Sequence, residues 1–293
     1  MTGRGPKVIE AGPAFVAALR KAEEAHKYDH GHALILAGGP GEGGAARLSA
    51  RGALRIGAGL VTVACPLAAL QENAARLDTV MLRPLHDAAA LARLLDDRRF
   101  NALCLGPGMG LDRARAMVPV ACRSGRGVVL DADALSGFGG DPAELFALSH
   151  ETCVLTPHGG EFARLFPDLA MAMGQDASDP RAMSRIDAVR EAARRSASVV
   201  LIKGAETVIA SPDGRAAVNR AKGAKAAPWL ATAGSGDVLA GFITGLLARG
   251  FAPFDAACTG AWLHAEAARS FGPGLIAEDL PEELPKVFRT LGL

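Results

Sequence analysis

The chain has 293 residues, and its charges almost cancel, to a formal net charge of +1 at pH 7. With no run of Lys or Arg, one Tyr and two Trp, it lacks the basic footprint of a nucleic-acid binder and the aromatic platforms that stack bases. Hydrophobic residues make up 49%, enough for a large core in one or two domains, yet no apolar run is long enough to span a bilayer and no apolar signal region opens the chain. The cysteines, Cys65, Cys104, Cys122, Cys153 and Cys258, show no metal-ligand spacing. That pattern predicts buried reduced thiols in a cytoplasmic protein.

Residues 1–11 read as a loose lead-in, and Pro13 to about Glu24 as a short amphipathic helix. The first clear strand is Ala33–Ala37, followed by a glycine-rich turn over residues 38–44 and a helix from about Ala45 to Ile56. Strand and helix then alternate. Strands are predicted at Leu60–Ala64, Thr79–Leu82, Ala102–Leu105, Gly127–Leu130, Thr152–Leu155 and Ser198–Ile202. Helices are predicted at Leu67–Ala75, Ala88–Asp96, Arg113–Cys122 and Arg181–Ser196. The long connection from Phe166 to Arg185 reads as a surface loop or lid fragment. Thr207–Ala210 and Arg215–Val218 flank Ser211-Pro-Asp-Gly214 as a hairpin, and two or three helices close the chain. Short apolar strands alternating with helices predict βαβ units, hence a mostly parallel sheet covered on both faces. We read residues 1–26 as lead-in and helix, and 27–293 as one domain.

Unusual residues follow the strands at Gly38–Gly44, Gly106–Gly110, Asp131–Asp133, Thr156–Glu161 and Lys203–Thr207. Ligands of open α/β sheets bind outside those strand ends. The strongest single stretch is Thr232-Ala-Gly-Ser-Gly-Asp237, a glycine turn entering an apolar helix from Val238 to about Arg249. Its backbone N–H groups and the helix's positive end make an anion site. Asp237 there is either a helix cap or a base beside a bound phosphate. Gly39-x-Gly41-x-x-Gly44 matches the dinucleotide fingerprint, but the second strand ends at Ala64-Cys65-Pro66 without the acidic residue that fingerprint requires. No Gly-x-x-x-x-Gly-Lys-Ser/Thr occurs either.

In order, His30-Gly-His-Ala-Leu-Ile-Leu36, Gly43-Gly-Ala-Ala46, Ala53-Leu-Arg-Ile-Gly-Ala-Gly-Leu-Val61, Gly106-Pro-Gly-Met-Gly110, Asp131-Ala-Asp-Ala-Leu135, Thr156-Pro-His-Gly-Gly-Glu161, Lys203-Gly-Ala-Glu-Thr207 and Ala233-Gly-Ser-Gly-Asp-Val-Leu-Ala-Gly241 resemble the ADP-dependent NAD(P)H-hydrate dehydratases of the ribokinase-like superfamily. The resemblance covers about His26 to Phe288. Ser136 stands where the family commonly has Asn, and residues 223–229 lack an expected Asn.

The resemblance implies a ribokinase-like three-layer α/β sandwich. It implies ADP-dependent dehydration of the S-epimer of hydrated NADH or NADPH (NADHX, NADPHX), releasing AMP and phosphate, with Mg²⁺. By correspondence, Asp237 is the catalytic base, and Ala45, Gly108, Gly110, His158 and Asp237 contact the hydrate. Lys203, Gly204, Ala205, Glu206, Thr207, Gly234, Ser235 and Gly236 hold ADP or AMP. No metal ligands are assigned: Asp131 and Asp133 read as structural or as neighbours of a divalent ion, Glu161 as a capping residue, and Arg47 and Arg55 as solvated. The resemblance also implies a homotetramer working with a separate epimerase; composition and charge give neither nucleic acid nor membrane as an expected partner. A small-molecule kinase of the same superfamily using ATP is the rival reading, and a non-catalytic nucleotide sensor a third.

Overall fold

The computed structural model describes residues 5–176 and 179–293. Its strands are β1 (Lys7–Val8), β2 (His32–Leu36), β3 (Leu60–Cys65), β4 (Met81–Pro84), β5 (Phe100–Leu105), β6 (Gly127–Leu130), β7 (Cys153–Leu155), β8 (Val199–Ile202), β9 (Glu206–Ala210) and β10 (Ala216–Arg220). They form one sheet in the order β1-β10-β9-β8-β7-β6-β5-β2-β3-β4. Every pairing from β4 across to β8 is parallel, while β9 runs antiparallel to β8 and β10. The chain leaves β2 for β3 on one side and reaches β5 on the other, so the switch point lies between β2 and β5.

The strands are apolar on both faces because both faces are covered. In β2, Ala33 and Ile35 enter one core and Leu34 and Leu36 the other. The helices Gly43–Arg55, Ser235–Ala248, Pro253–Phe271 and Asp279–Thr290 cover the first face. Leu111–Arg123, Gly159–Leu165 and Arg185–Ser196 are among those covering the second. This is the three-layer α/β sandwich expected.

The Ser235–Ala248 helix is buried at every residue from Val238 to Ala248, which explains why its sequence is apolar all round. It crosses the Gly43–Arg55 helix at Gly241, where a Cβ would overlap the Ser49 carbonyl oxygen. Ser49 Oγ then reaches the Asp237 carbonyl at 2.8 Å and the Ala45 carbonyl at 3.1 Å. The starts of the two helices are thereby tied together.

Some expectations need correction. Lys7–Val8 is a strand beside β10, within the stretch read as lead-in. The first helix ends at Leu19 rather than near Glu24, because Arg20 turns extended and its N–H bonds back to the Ala17 carbonyl. The segment read as a loop after Phe166 begins with a helix, Pro167–Met173, whose Leu169 is buried; residues 177–178 lie outside the described residues. The apolar helix after the glycine turn starts at Ser235 rather than Val238. Arg47 is not on a solvated face: it donates to Asn73 Oδ1 at 3.1 Å and sits 3.8 Å from Glu72. Arg55, by contrast, lies on an exposed face as expected, where it pairs with Glu282. Four of the five free cysteines are buried, and Cys258 is partly so.

Candidate active site

Five parallel strands deliver their C-terminal ends to one crevice. Gly38 follows β2 and Gly106–Gly110 follows β5, on the two sides of the switch point. Their backbones touch: a Cβ on Gly38 would overlap the Gly108 carbonyl oxygen. Gly108 itself (φ 61°) would place a Cβ 2.7 Å from the Glu42 carbonyl oxygen and 3.4 Å from the Ala45 methyl. Ala45 and Gly108, both expected to meet the substrate, are thus neighbours. Gly110 N–H donates to Asp133 Oδ2 at 2.9 Å, which fixes this loop to the segment after β6.

That segment is strained. Ala132 has φ 45° and ψ −116°, a region that costs a non-glycine residue on the order of 1–3 kcal/mol. Around this bend Asp133 reaches the Gly110 amide and Asp131 reaches Lys203, with Nζ and Oδ1 2.7 Å apart. Asp131 is 1% exposed while Lys203 keeps part of its side chain in solvent, so the carboxylate is the buried member of the pair. Lys203 follows β8, and its N–H donates to the Pro157 carbonyl at 2.9 Å. The Thr156–Glu161 loop therefore lies beside it.

His158 takes the N-cap of the Gly159–Leu165 helix. Its Nδ1 accepts from Gly160 N–H at 3.0 Å and Glu161 N–H at 3.4 Å, and Glu161 Oε2 accepts from His158 N–H at 2.8 Å. This reciprocal capping is the role expected of Glu161. Burial raises the Glu161 carboxyl above its usual range, while the backbone bond from His158 and the Lys203 charge oppose the rise. The outer part of the His158 ring stays exposed.

The glycine turn closes the crevice. Gly234 (φ 86°) is the N-cap of the Ser235–Ala248 helix, so Asp237, its third residue, does not cap it. The first intrahelical bond runs from Val238 N–H to the Gly234 carbonyl. The Gly236 and Asp237 N–H groups have no intrahelical acceptor, which is the donor pair an anion requires. A Cβ on Gly236 would stand 3.2 Å from Lys203 Nζ and 3.9 Å from Asp131 Oδ2. The cradle and the ion pair are therefore one site. Asp237 is pushed up to about 6, by burial first and then by the Asp131 charge, with Lys203 opposing and Asp133 adding. A half-buried carboxyl near neutrality, beside a phosphate cradle, is suited to take a proton.

Of the residues expected to hold a nucleotide, Lys203, Gly234, Ser235 and Gly236 converge here. Thr207 bonds to the Gly204 carbonyl and braces the β8–β9 turn, whereas Glu206 is engaged by Arg220 and Lys222 and ties the start of β9 to the end of β10. Three residues had not been singled out. Ser49 ties Ala45 to Asp237. His264, buried on the Pro253–Phe271 helix, donates from Nε2 to the Ser235 carbonyl at 2.9 Å. Arg185 donates to the Lys203 carbonyl at 3.1 Å, with its guanidinium against Gly204. No local motif surrounds any of them; only the fold brings them in.

A doubly wound sheet with a glycine-turn helix start and an Asp at its third position defines a ribokinase-like protein. A ribokinase-like superfamily protein from Enterococcus faecalis shares the fold, with a TM-score of 0.79 at 20% identity, covering 99% of this chain and 98% of that one. The NAD(P)H-hydrate dehydratase family model matches residues 33–287, and the chain belongs to that family. Among relatives, the bifunctional NAD(P)H-hydrate repair enzyme Nnr of Gloeobacter violaceus is 40% identical over 253 residues, 85% of this chain and 47% of that protein. The ADP-dependent (S)-NAD(P)H-hydrate dehydratase of Neisseria meningitidis is 37% identical over 256 residues, 85% of this chain and 79% of that protein. The ADP/ATP-dependent NAD(P)H-hydrate dehydratase of Bacillus subtilis, crystallised with ATP and Mg²⁺, superposes with a TM-score of 0.77 at 25% identity, covering 98% and 99% of the two chains. The chain spans about half the length of the bifunctional relatives it matches. Among the described residues no helix is long and apolar enough to cross a membrane.

Proposed function

We propose that the chain dehydrates the S-epimer of NADHX and NADPHX to NADH and NADPH, with ADP as phosphoryl donor and AMP and phosphate as the other products. The observation that carries this reading is Asp237: a carboxyl raised to about 6, without a side-chain hydrogen-bonding partner among the described residues, at the mouth of an anion cradle. Hydroxide is a poor leaving group. Asp237 takes the proton of the substrate's 6-hydroxyl as that oxygen attacks the β-phosphorus of ADP, and AMP leaves. The carbon–oxygen bond then breaks, the ring nitrogen's lone pair drives phosphate out, and loss of a ring proton restores the reduced nicotinamide. Gly236 and Asp237 N–H groups and Lys203 stabilise charge on the transferred group.

Ala45, Gly108, Gly110 and His158 are the surface we assign to the hydrated dinucleotide. Lys203–Thr207 and Gly234–Gly236 are assigned to ADP, with Arg185 added from its place against Gly204. Among the described residues no three His, Cys, Asp or Glu side chains group to hold a metal. Mg²⁺ therefore fits as a companion of the nucleotide, held by phosphate and water, and Asp133 is the residue that would meet its water shell. When bound it neutralises phosphate charge. A homotetramer in the cytoplasm, served by a separate epimerase, completes the reading that the resemblance supports.

The test is turnover. The protein is incubated with hydrated NADH, Mg²⁺ and either ADP or ATP, and reduced-nicotinamide absorbance is followed. Recovery with ADP, accompanied by AMP and phosphate, is the expected result. Recovery with ATP alone would overturn the donor. Nucleotide binding without recovery would favour the small-molecule kinase, which uses the same Asp237 and leaves a stable phosphorylated product.

A further inference from the structure

A cavity of about 960 Å³ lies away from the glycine turn. The Ser235–Ala248 helix begins at the turn and ends at Arg249, which lines the cavity. At the usual helical rise its 14 residues separate the two by roughly 21 Å. The Gly43–Arg55 helix spans the same distance, with Ala45 at the crevice and Arg55 and Ile56 at the cavity. The volume lies within the range of small-molecule sites.

Seven cationic side chains and two carboxylate side chains line the cavity, in a chain whose net charge is only +1. Some of that charge has a structural purpose. Arg51 and Arg55 share Glu282. Four helices end here, Pro13–Leu19, Gly43–Arg55, Ser235–Ala248 and Asp279–Thr290, and each C-terminus counts as about half a negative charge. Arg249 serves two of them, donating to the Leu19 carbonyl at 2.7 Å and the Ile56 carbonyl at 3.0 Å. Arg20 donates to the Gly292 carbonyl at 2.8 Å.

A surplus remains. The side chains of Lys21, Arg76 and Arg289 have no hydrogen-bonded or ion-paired partner among the described residues, Arg289 being felt only at longer range by Glu283, against one unpaired side-chain carboxylate in the lining, Asp78. Lys21 and Arg249 both lie against Gly57, with Lys21 Cε and Arg249 Nη1 within 3.3 Å of where its Cβ would stand. Burial, and after it the Arg249 charge, lowers the Lys21 ammonium below its usual range. Leu54, Leu77, Val80 and Phe288 form the apolar wall beside them.

We propose that this cavity is a second small-molecule site. Its ligand is an organic anion, a carboxylate or phosphate ester with an apolar body. The anionic group lies between Lys21 and Arg249, and the body against Leu54, Leu77 and Phe288. Binding an anion there offsets the repulsion of two adjacent cations and covers the apolar wall in one step.

The experiment titrates the whole protein with anilinonaphthalene sulfonate, an apolar anion whose fluorescence reports binding. Octanoate and phenyl phosphate compete, to distinguish a carboxylate from a phosphate ligand. Octylamine and ADP serve as controls. The expected result is saturable binding, displaced by at least one of the two anions and by neither control. Lys21→Glu weakens it roughly tenfold, the loss of a charge-assisted hydrogen bond, without lowering the melting temperature. Arg76→Glu, on the exposed rim, gives a weaker loss and stands in should the first variant fold poorly. Absence of saturable binding, displacement by octylamine or ADP, or unchanged affinity in both variants would overturn the site.

Discussion

Lys203 Nζ and Asp131 Oδ1 meet at 2.7 Å, beside Gly236 and within electrostatic reach of Asp237. The pair sets the base from both directions, since Asp131 raises the Asp237 pKa and Lys203 lowers it. Asp131→Asn therefore moves the acidic limb of the kcat/KM profile to lower pH, and Lys203→Met moves it to higher pH. Lys203→Met also strands the Asp131 carboxylate, at a cost of about 1–3 kcal/mol. Profiles measured on both variants, with urea unfolding of each, check the two signs. Shifts in the same direction would contradict the arrangement.

Asp237 is expected to exchange stability for function. Its folded-state pKa of about 6 exceeds its ordinary value of 3.8, so between those values the folded protein binds the proton more tightly. The stability this contributes is full below the ordinary value and lost as pH rises through about 6. At neutral pH the charged carboxylate is therefore a burden. Asp237→Asn should lose turnover by orders of magnitude yet gain about 1–3 kcal/mol in unfolding free energy above pH 6. Unfolding curves of both proteins on either side of that pH check it. A stability gain independent of pH would argue against the ionised group as its cause.

Ala132 offers a test of the strain that parts Asp131 from Asp133. Glycine elsewhere costs stability through the unfolded chain, but at φ 45° and ψ −116° it relieves the Cβ conflict. Ala132→Gly should be neutral or stabilising by about 1 kcal/mol. A thermal melt decides, and a clear loss would mean the bend is unstrained.

His264 should make the active site acid-labile. Burial is the main cause lowering it from 6.5 to about 4, so the folded state holds it neutral, with Nε2 donating to Ser235. Its contribution is full above the ordinary value and lost as pH falls toward about 4. His264→Gln can keep the donated bond without the titration. It should flatten the fall in stability over that window by up to about 3 kcal/mol. His32 shifts the same way and remains in both proteins, so the difference between the two curves isolates His264.

Strand–turn junctions were legible because short apolar runs stop at Gly38, Gly106, Asp131, Thr156 and Lys203, and a parallel sheet places all those ends on one edge. Boundaries were less so. The strand read at Thr79–Leu82 forms at Met81–Pro84 because pairing with β3 sets its register, from Thr62 opposite Met81, and nothing local encodes that. Pro167 at a helix start with Asp168 in its first turn was a readable signal within the segment taken for a loop. Asp237 could not be distinguished from a cap in sequence, since only the backbone angles give that place to Gly234. Ser49, Arg185 and His264 were invisible because each reaches the site from a distant element.

The fate of one oxygen tests the central claim most directly. Hydrated NADH carrying isotopically heavy oxygen at its 6-hydroxyl is turned over with ADP, and released phosphate is examined by mass spectrometry. Phosphoryl transfer onto that hydroxyl, with Asp237 as base, predicts the label in phosphate. Label in water, with unlabelled phosphate, would mean that the hydroxyl leaves without being phosphorylated, and would contradict the account.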